Sequence, residues 1–494
     1  MTNFALRRNA AALTLGILLA ACAAPAKLAH PTLRDDVPLA GLQAPVRQGW
    51  PDAQWWLSYG DPQLDQLITM ALKQSPDLEQ ARSRLANAQQ SVRLAAAQAG
   101  LSVNGSAQFE RQRISKNGII SLLPQNFAIE PWYNQADLGL QAQYTFDWWG
   151  KKRAGIESAI DQAHAADAQR SAAALTLQNA VADTYFGWQG DQARLALSGQ
   201  LIAAQEKFLQ IAQLRVSRGV DLDDTVQQAS ANLAAARELD VTLRGSAAIR
   251  KVALAALIGV APADLPPLHS RPLPDVDSGI PAHARLDLIA RRPDIAASRW
   301  QVEAALRQTD VARAQFFPDL SISAMAGLSS LDVGNLLNPA SRAMSLTPAL
   351  HLPIFEGGQL QANYGISKAQ LAAAVAGYNA AVIGAAHDVA NQALTAQEIA
   401  ARRNEQAAQV AANERLVATA QARASHGVRD AREGLAATAQ LLQQRDAAVS
   451  LQAQAVSTDL ALIKALGGGY HAASDMTNSP TSMNTSGDDA HERH

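Results

Sequence analysis

Four stretches of the chain alternate between apolar and polar side chains, the period-two pattern of a strand with one apolar face. From Leu101 one face reads Leu101, Val103, Gly105, Ala107 and Phe109, and the other Ser102, Asn104, Ser106, Gln108 and Glu110. From Ala136 the apolar face runs through Leu138, Leu140, Ala142 and Tyr144 to Phe146, opposed by Asp137, Gly139, Gln141, Gln143, Thr145 and Asp147. From Leu320 it runs through Ile322, Ala324 and Ala326 to Leu328, and from Met344 through Leu346, Pro348, Leu350 and Leu352 to Ile354. Each run has about the ten residues that a tilted strand needs to cross a bilayer. Apolar outside and polar inside is the pattern of a water-filled barrel, although a soluble sheet with one wet face alternates in the same way. Aromatic rings near the ends of these runs (Trp132, Tyr133, Trp148, Trp149, Phe316 and Phe317) favour the membrane, because such rings prefer its interfaces. Four strands cannot close a membrane barrel. Strands that cross a bilayer therefore require copies of the chain to pair edge to edge, and three copies supply twelve strands.

Outside the strands the spacing becomes helical. Leu78, Ala81, Leu85, Ala88, Val92, Ala95 and Ala99 step by 3 and 4, a heptad seam, after an N-cap and first-turn proline at Ser75-Pro76. No proline interrupts Lys151 to Arg218, where a continuous helix would run roughly 100 Å. Val226, Ala229, Leu233, Ala236, Leu243, Ala247, Leu254 and Leu257 form a further seam. Its small residues allow helix backbones to approach closely, where an ordinary coiled coil carries larger ones.

Composition sharpens this picture. A net charge of −2 over 494 residues offers no field for nucleic acid. Aromatics are 5% of an alanine-rich chain, which suits long, closely packed helices better than a thick core. Cys22 is the single cysteine, so neither an internal disulfide nor a multi-cysteine metal site is available. It follows Arg7, Arg8 and an apolar segment from Ala10 to Ala21, which together read as a secretory signal peptide. The order Leu19-Ala20-Ala21-Cys22 resembles a bacterial lipobox, which implies cleavage before Cys22 and lipid on its sulfur; Ala23 in the next position points to the outer membrane. An ordinary signal peptide with an incidental cysteine would still place the protein outside the cytoplasm. No later segment offers 18 consecutive apolar residues, so no helical membrane span is expected.

The chain repeats itself. "LRVSRGV" matches "ARASHGV" at an offset of 208, Gly219 against Gly427, and the same offset brings Gly150 onto Gly358 and Gly259 onto Gly467. "SPDLEQA" matches "RPDIAAS" at 217, Pro76 against Pro293, and the nine-residue difference falls in the loop joining each strand pair. Each half then reads as helix, two strands, long helix, turn, helix. The Pro-rich stretch from 261 to 284 lies between the halves as a linker.

Six segments in this order resemble the outer-membrane factors of tripartite efflux pumps, in their NodT-like lipoprotein branch. They are "QWWLSYGDPQLDQLI", "FDWWG", "ARRPDI", "ARAQFFPDLSI", "LPIFEGG" and the paired "RGV" and "HGV" turns, with one departure at Arg299. The resemblance implies an α+β membrane protein: a trimer whose twelve-stranded barrel, four strands per chain, sits in the outer membrane of a Gram-negative bacterium. A long helical barrel would continue it into the periplasm, ringed by a mixed belt. The expected organisation is a signal peptide at 1–21, a lipid-anchored segment at 22–61 and a first repeat at 62–260. A linker at 261–284, a second repeat at 285–470 and a polar, disordered tail at 471–494 complete it.

The implied function is an exit duct for small toxic compounds or drugs, working with a periplasmic adaptor and an inner-membrane pump. The only implied attached group is the lipid on Cys22. The resemblance places adaptor contact at the turns, Gly219 and Val220 with Gly427 and Val428. It places a constricting charged ring just beyond the second turn, at Arg429 and Glu433, with Asp430 and Arg432 as neighbours and Ala436 where the family often has a second acid. Solvated charges on a helix end would look the same. A duct for protein secretion, and a lipid-anchored periplasmic scaffold without a barrel, are the alternatives. Catalysis is not expected: the ten histidines lack metal-ligand spacing, Gly467-Gly468-Gly469 lacks the Lys-Ser/Thr of a phosphate loop, and no G-x-S-x-G elbow occurs.

Overall fold

In the computed structural model of the chain, the described residues are 25–37, 46–47, 49–115, 132–276, 278–281, 284–426, 428 and 430–471. The signal peptide, Cys22, Gly427, Arg429 and the tail from 472 lie outside them. The first half contains β1 (Val46–Arg47), α1 (Pro62–Gln74), α2 (Pro76–Ala99), β2 (Ser102–Arg113), β3 (Trp132–Thr145), α3 (Lys151–Ser217) and α4 (Asp223–Ile258). The second contains β4 (Ile280–Pro281), α5 (Ala284–Arg291), α6 (Pro293–Ala314), β5 (Asp319–Ser330), β6 (Arg342–His351), α7 (Gln359–Ser425) and α8 (Ala431–Ala465). Pro76 and Pro293 each open the second helix of a pair, not the first as the repeat pattern suggested. Ser75 closes α1 through its N–H to the Ala71 carbonyl at 2.9 Å, and the chain turns directly into Pro76.

The chain divides into two compact units. One takes residues 1–34, 79–170 and 297–381, and the other 35–78, 171–296 and 382–494. Each unit draws on both halves of the duplication, because the halves pair with each other in space.

The first unit holds a four-stranded antiparallel sheet of order β2-β3-β5-β6, in which β3 and β5 join the two halves. The register aligns all four apolar faces. Gly105, Leu140, Ala326 and Met344 form one row, and Val103, Ala142, Ala324 and Leu346 another. Ser102, Gln143, Ser323 and Thr347 form a row on the opposite face. A slip of one residue in any strand would mix the faces. Leu140, Leu346 and Met344 remain 60%, 71% and 83% exposed, so the chain does not cover its own apolar face. β3 and β5 approach closely at Gly139 and Gly327; a Cβ on Gly327 would lie 2.4 Å from the Leu138 carbonyl oxygen.

Two strands depart from their sequence limits. β3 begins at Trp132, because pairing with Arg113 extends it beyond the alternating run. β6 stops at His351, short of Ile354; Pro353 has no N–H to continue the ladder. Below the sheet, Trp149 stacks on Phe317 at 4.5 Å, and its Nε1 donates to the Pro318 carbonyl at 2.9 Å. In α2 the heptad seam is the buried side: between Leu78 and Ala99, the seam positions are buried or half-buried and the rest exposed. The N-terminal segment is held along α6 and α7. Arg313 Nε donates to the Pro25 carbonyl at 2.8 Å, Lys27 pairs with Asp310 at 3.7 Å, and the Tyr378 hydroxyl donates to the Arg34 carbonyl at 3.0 Å.

The second unit is helical, with the two-residue parallel pair β1-β4 in addition to the four strands foreseen. Leu64, Leu67, Ile68, Leu254, Ile258, Leu460 and Ile463 are fully buried there. The Pro-rich linker is a fixed strap. Extended proline-rich backbone cannot satisfy its own carbonyls, so side-chain amides do it. Gln63 Nε2 donates to the Pro267 carbonyl at 2.9 Å, Gln189 Nε2 to that of His269 at 3.0 Å, and Gln452 Nε2 to that of Leu273 at 3.1 Å. By length and mean hydropathy (1.3) one stretch of α7 is apolar enough to cross a membrane. That stretch is 28% buried, and its apolarity comes largely from alanine.

Candidate functional site

The duplicated turns are built by one hydrogen-bond scheme. After α3, Gly219 takes a left-handed φ of 70°, its N–H donates to the Val216 carbonyl at 2.9 Å, and the Val220 N–H reaches back to Arg215 at 2.9 Å. This pair of bonds caps a helix whose next residue is left-handed, a conformation glycine accepts without a Cβ clash. After α7, the Val428 N–H reaches the Arg423 carbonyl at 2.9 Å, the same bond displaced by 208 residues. Val220 and Val428 are both exposed. Gly427 is outside the described residues.

Charges from both turns then converge. Arg215 donates to Asp221 through Nε at 2.8 Å and through its terminal nitrogen at 3.1 Å. Arg432 donates to Asp221 at 2.6 Å and, through Nε, to Asp430 at 2.9 Å. Arg215 closes the ring against Asp430 at 3.4 Å. Asp430 also caps α8, accepting the Arg432 N–H at 2.9 Å. The Arg215 hydrogen bond holds the Asp221 carboxyl below the usual carboxylate range. Burial pushes Asp430 up, but the Arg432 N–H and both guanidiniums outweigh it and hold that carboxyl low as well.

Of the residues expected to constrict the duct, Glu433 stands exposed in the first turn of α8, one residue beyond this ring. Its N–H donates to the Asp430 carbonyl at 3.1 Å. Arg429 is outside the described residues. Ala436 is exposed on the next turn. Arg215 and Asp221 were not anticipated, yet the signal was present. The first turn reads "DLDD" at 221–224 and its equivalent "RDAR" at 429–432, an acidic turn facing a basic one. Beside the ring lies a groove of about 430 Å³, lined by Lys207, Gln210, Ile211, Gln421, Gly434 and Leu435.

The family model for outer membrane efflux proteins matches residues 67–260 and 286–468. The multidrug resistance outer membrane protein MdtP of Escherichia coli is 34% identical over 444 residues, covering 89% of this chain and 90% of that protein. MdtQ of Escherichia coli O157:H7 is 32% identical over 465 residues, covering 92% and 96%. Among solved structures, the outer membrane protein VceC of Vibrio cholerae matches with a TM-score of 0.76 at 32% identity, covering 85% of this chain and 100% of that one. The outer-membrane channel OprN matches with a TM-score of 0.80 at 25% identity, covering 91% and 99%. Two matched halves, close relatives over most of their length and a shared fold place this chain in the outer membrane efflux protein family.

Proposed function

We propose that this chain is the outer-membrane exit duct of a tripartite efflux pump, releasing drugs or other small toxic compounds through the outer membrane. The observation that carries the reading is the sheet: four strands in one register, with a continuous apolar face that the chain leaves uncovered. Such a face is stable in lipid, and the two open edges, β2 and β6, must then be paired. Three copies give a closed barrel of twelve strands, with water inside against the Ser, Thr, Asn and Gln rows. The long helices α3 and α7, 67 residues and about 100 Å each, would form the periplasmic tunnel wall. Close packing of helix on helix across the trimer explains an alanine-rich α7 without a membrane span.

The multidrug-resistance names of the relatives favour small-molecule export over protein secretion. A scaffold without a barrel leaves the registered apolar face unexplained. Cys22 would carry the lipid, and Arg313 holds Pro25, three positions on, beside α6. At the turns, Gly219, Val220, Gly427 and Val428 would meet the adaptor, and the inner-membrane pump would act through it. Arg429 and Glu433 would line the constriction, stiffened by the Arg215–Asp221–Arg432–Asp430 ring.

Electron microscopy of the purified protein in mild detergent tests this reading. A threefold tube with a detergent belt supports it, and a compact monomer or a beltless rod overturns it. Deleting the gene should then raise susceptibility to a subset of drugs, restored by complementation.

A further inference from the structure

The charges of the four membrane strands are sorted by face. Arg111, Arg113 and Arg342 all stand on the apolar face, whereas Glu110, Asp137 and Asp319 stand on the opposite one. Arg111 and Arg113 finish β2 at one end of the sheet; Arg342, which starts β6, lies in the row of Leu328, Leu138 and Ala107. The Arg111 end is that of the strand-connecting loops, away from the helices that precede β2 and follow β6. Arg111 and Arg113 lie over the Trp132 ring, 5.5 and 5.8 Å from its centre. Among the described residues, no carboxylate pairs with any of the three.

Depth agrees. From Tyr144 to Asn134, the partner of Arg111, is ten residues along β3, about 26 Å of membrane normal for a strand tilted by about 40°. The apolar band of an outer-membrane barrel is about 25 Å tall, so Arg111 and Arg113 stand at its far interface, at headgroup level. Trp132 is the interfacial ring there, and its face pre-positions both guanidiniums.

We infer that Arg111, Arg113 and Trp132 form a binding site for the phosphorylated glycolipid of the outer leaflet. The inference rests on the membrane-spanning reading above, with the loop end outward. A guanidinium grips a phosphate with two parallel N–H donors, and two such forks over one indole suit the sugar phosphates of that lipid. The sheet below offers the acyl chains Phe109, Leu138 and Leu140 on the same face. On an outward face free of carboxylates, an anionic headgroup meets no repulsion.

The test uses the full-length protein in mild detergent, with bis-phosphorylated lipid A and its dephosphorylated counterpart as probes in native mass spectrometry. Preferential retention of the phosphorylated form is expected, falling by about fivefold for each arginine removed in Arg111→Gln and Arg113→Gln. Equal retention of the two lipids by the parent protein overturns the inference without any variant. So does an unchanged preference in the double variant. A separate variant, Leu337→Cys in the β5–β6 connection, is exposed to a membrane-impermeant maleimide in intact cells. Labelling there, with no lipid preference, removes the lipid site alone; no labelling removes the spanning orientation and the inference with it.

Discussion

The Arg432 guanidinium donates to the Asp221 carboxylate at 2.6 Å, across 211 positions of sequence. It joins the second turn of the duplication to the first, and Arg215 and Asp430 complete a ring of alternating charge. Loss of Arg432 in Arg432→Gln leaves Asp221 with Arg215 alone, and only the longer Arg215–Asp430 contact of 3.4 Å then holds the two hairpins together. Higher single-channel conductance in planar bilayers is the expected result, with little change in melting temperature because these groups are near solvent. Both carboxyls titrate below their ordinary value, so the pairing is present above about pH 4 and lost as pH falls through the lower folded values. Conductance should therefore be flat from pH 8 to 5 and rise only in stronger acid. A change across neutral pH would contradict the ring.

Asp161 behaves in the opposite sense. Burial pushes its carboxyl up to about 6; Arg307 pulls it down, while Glu303 and Glu157 add to the rise. The folded chain then holds a proton that the unfolded chain releases near 3.8, so stability falls as pH rises through the window between them. Asp161→Asn removes this penalty. After discounting for its half-exposed position, the variant should be about 1 kcal/mol more stable at pH 7.5. The advantage should disappear below pH 4, as thermal melts at both pH values will show.

Asp459 fastens the strap. It is buried, and it accepts the Tyr59 hydroxyl at 2.6 Å and the Ser278 hydroxyl at 3.0 Å. Asp459→Ala removes the carboxylate that both hydroxyls donate to and should destabilise the second unit by about 1–3 kcal/mol. Limited proteolysis reads the effect directly, because cleavage should appear between residues 261 and 281. Tyr59→Phe removes one donor and should have the smaller effect.

Two glycines with left-handed backbones should tolerate substitution unequally. At Gly219, φ 70°, a Cβ meets nothing within 4 Å. At Gly467, φ 92°, it would lie 1.9 Å from the Arg291 carbonyl oxygen. Gly219→Ala should cost about 1–2 kcal/mol, the left-handed term alone. Gly467→Ala must also move backbone, and it should lower the melting temperature well beyond Gly219→Ala or abolish folding.

Periodicity made much of the molecule readable in advance. The alternation of Val103 to Phe109, the seam from Leu78 to Ala99, the unbroken helix after Lys151 and the glycine turn at 219 are local, and each follows from side-chain spacing or φ preference. The duplication, visible as Gly219 against Gly427, likewise needed only the order of residues. Tertiary structure alone decided which distant segments meet. It paired β3 of one half with β5 of the other, so the compact units cut across both repeats. It turned an apparent linker into a strap, because Gln63, Gln189 and Gln452 supply the donors that its carbonyls lack. It brought Asp221 to Arg432 and sorted Arg111, Arg113 and Arg342 onto one face. Spacing along a chain sets which side a residue takes on its own helix or strand; its partner across the fold depends on register and packing between elements, which no local period encodes.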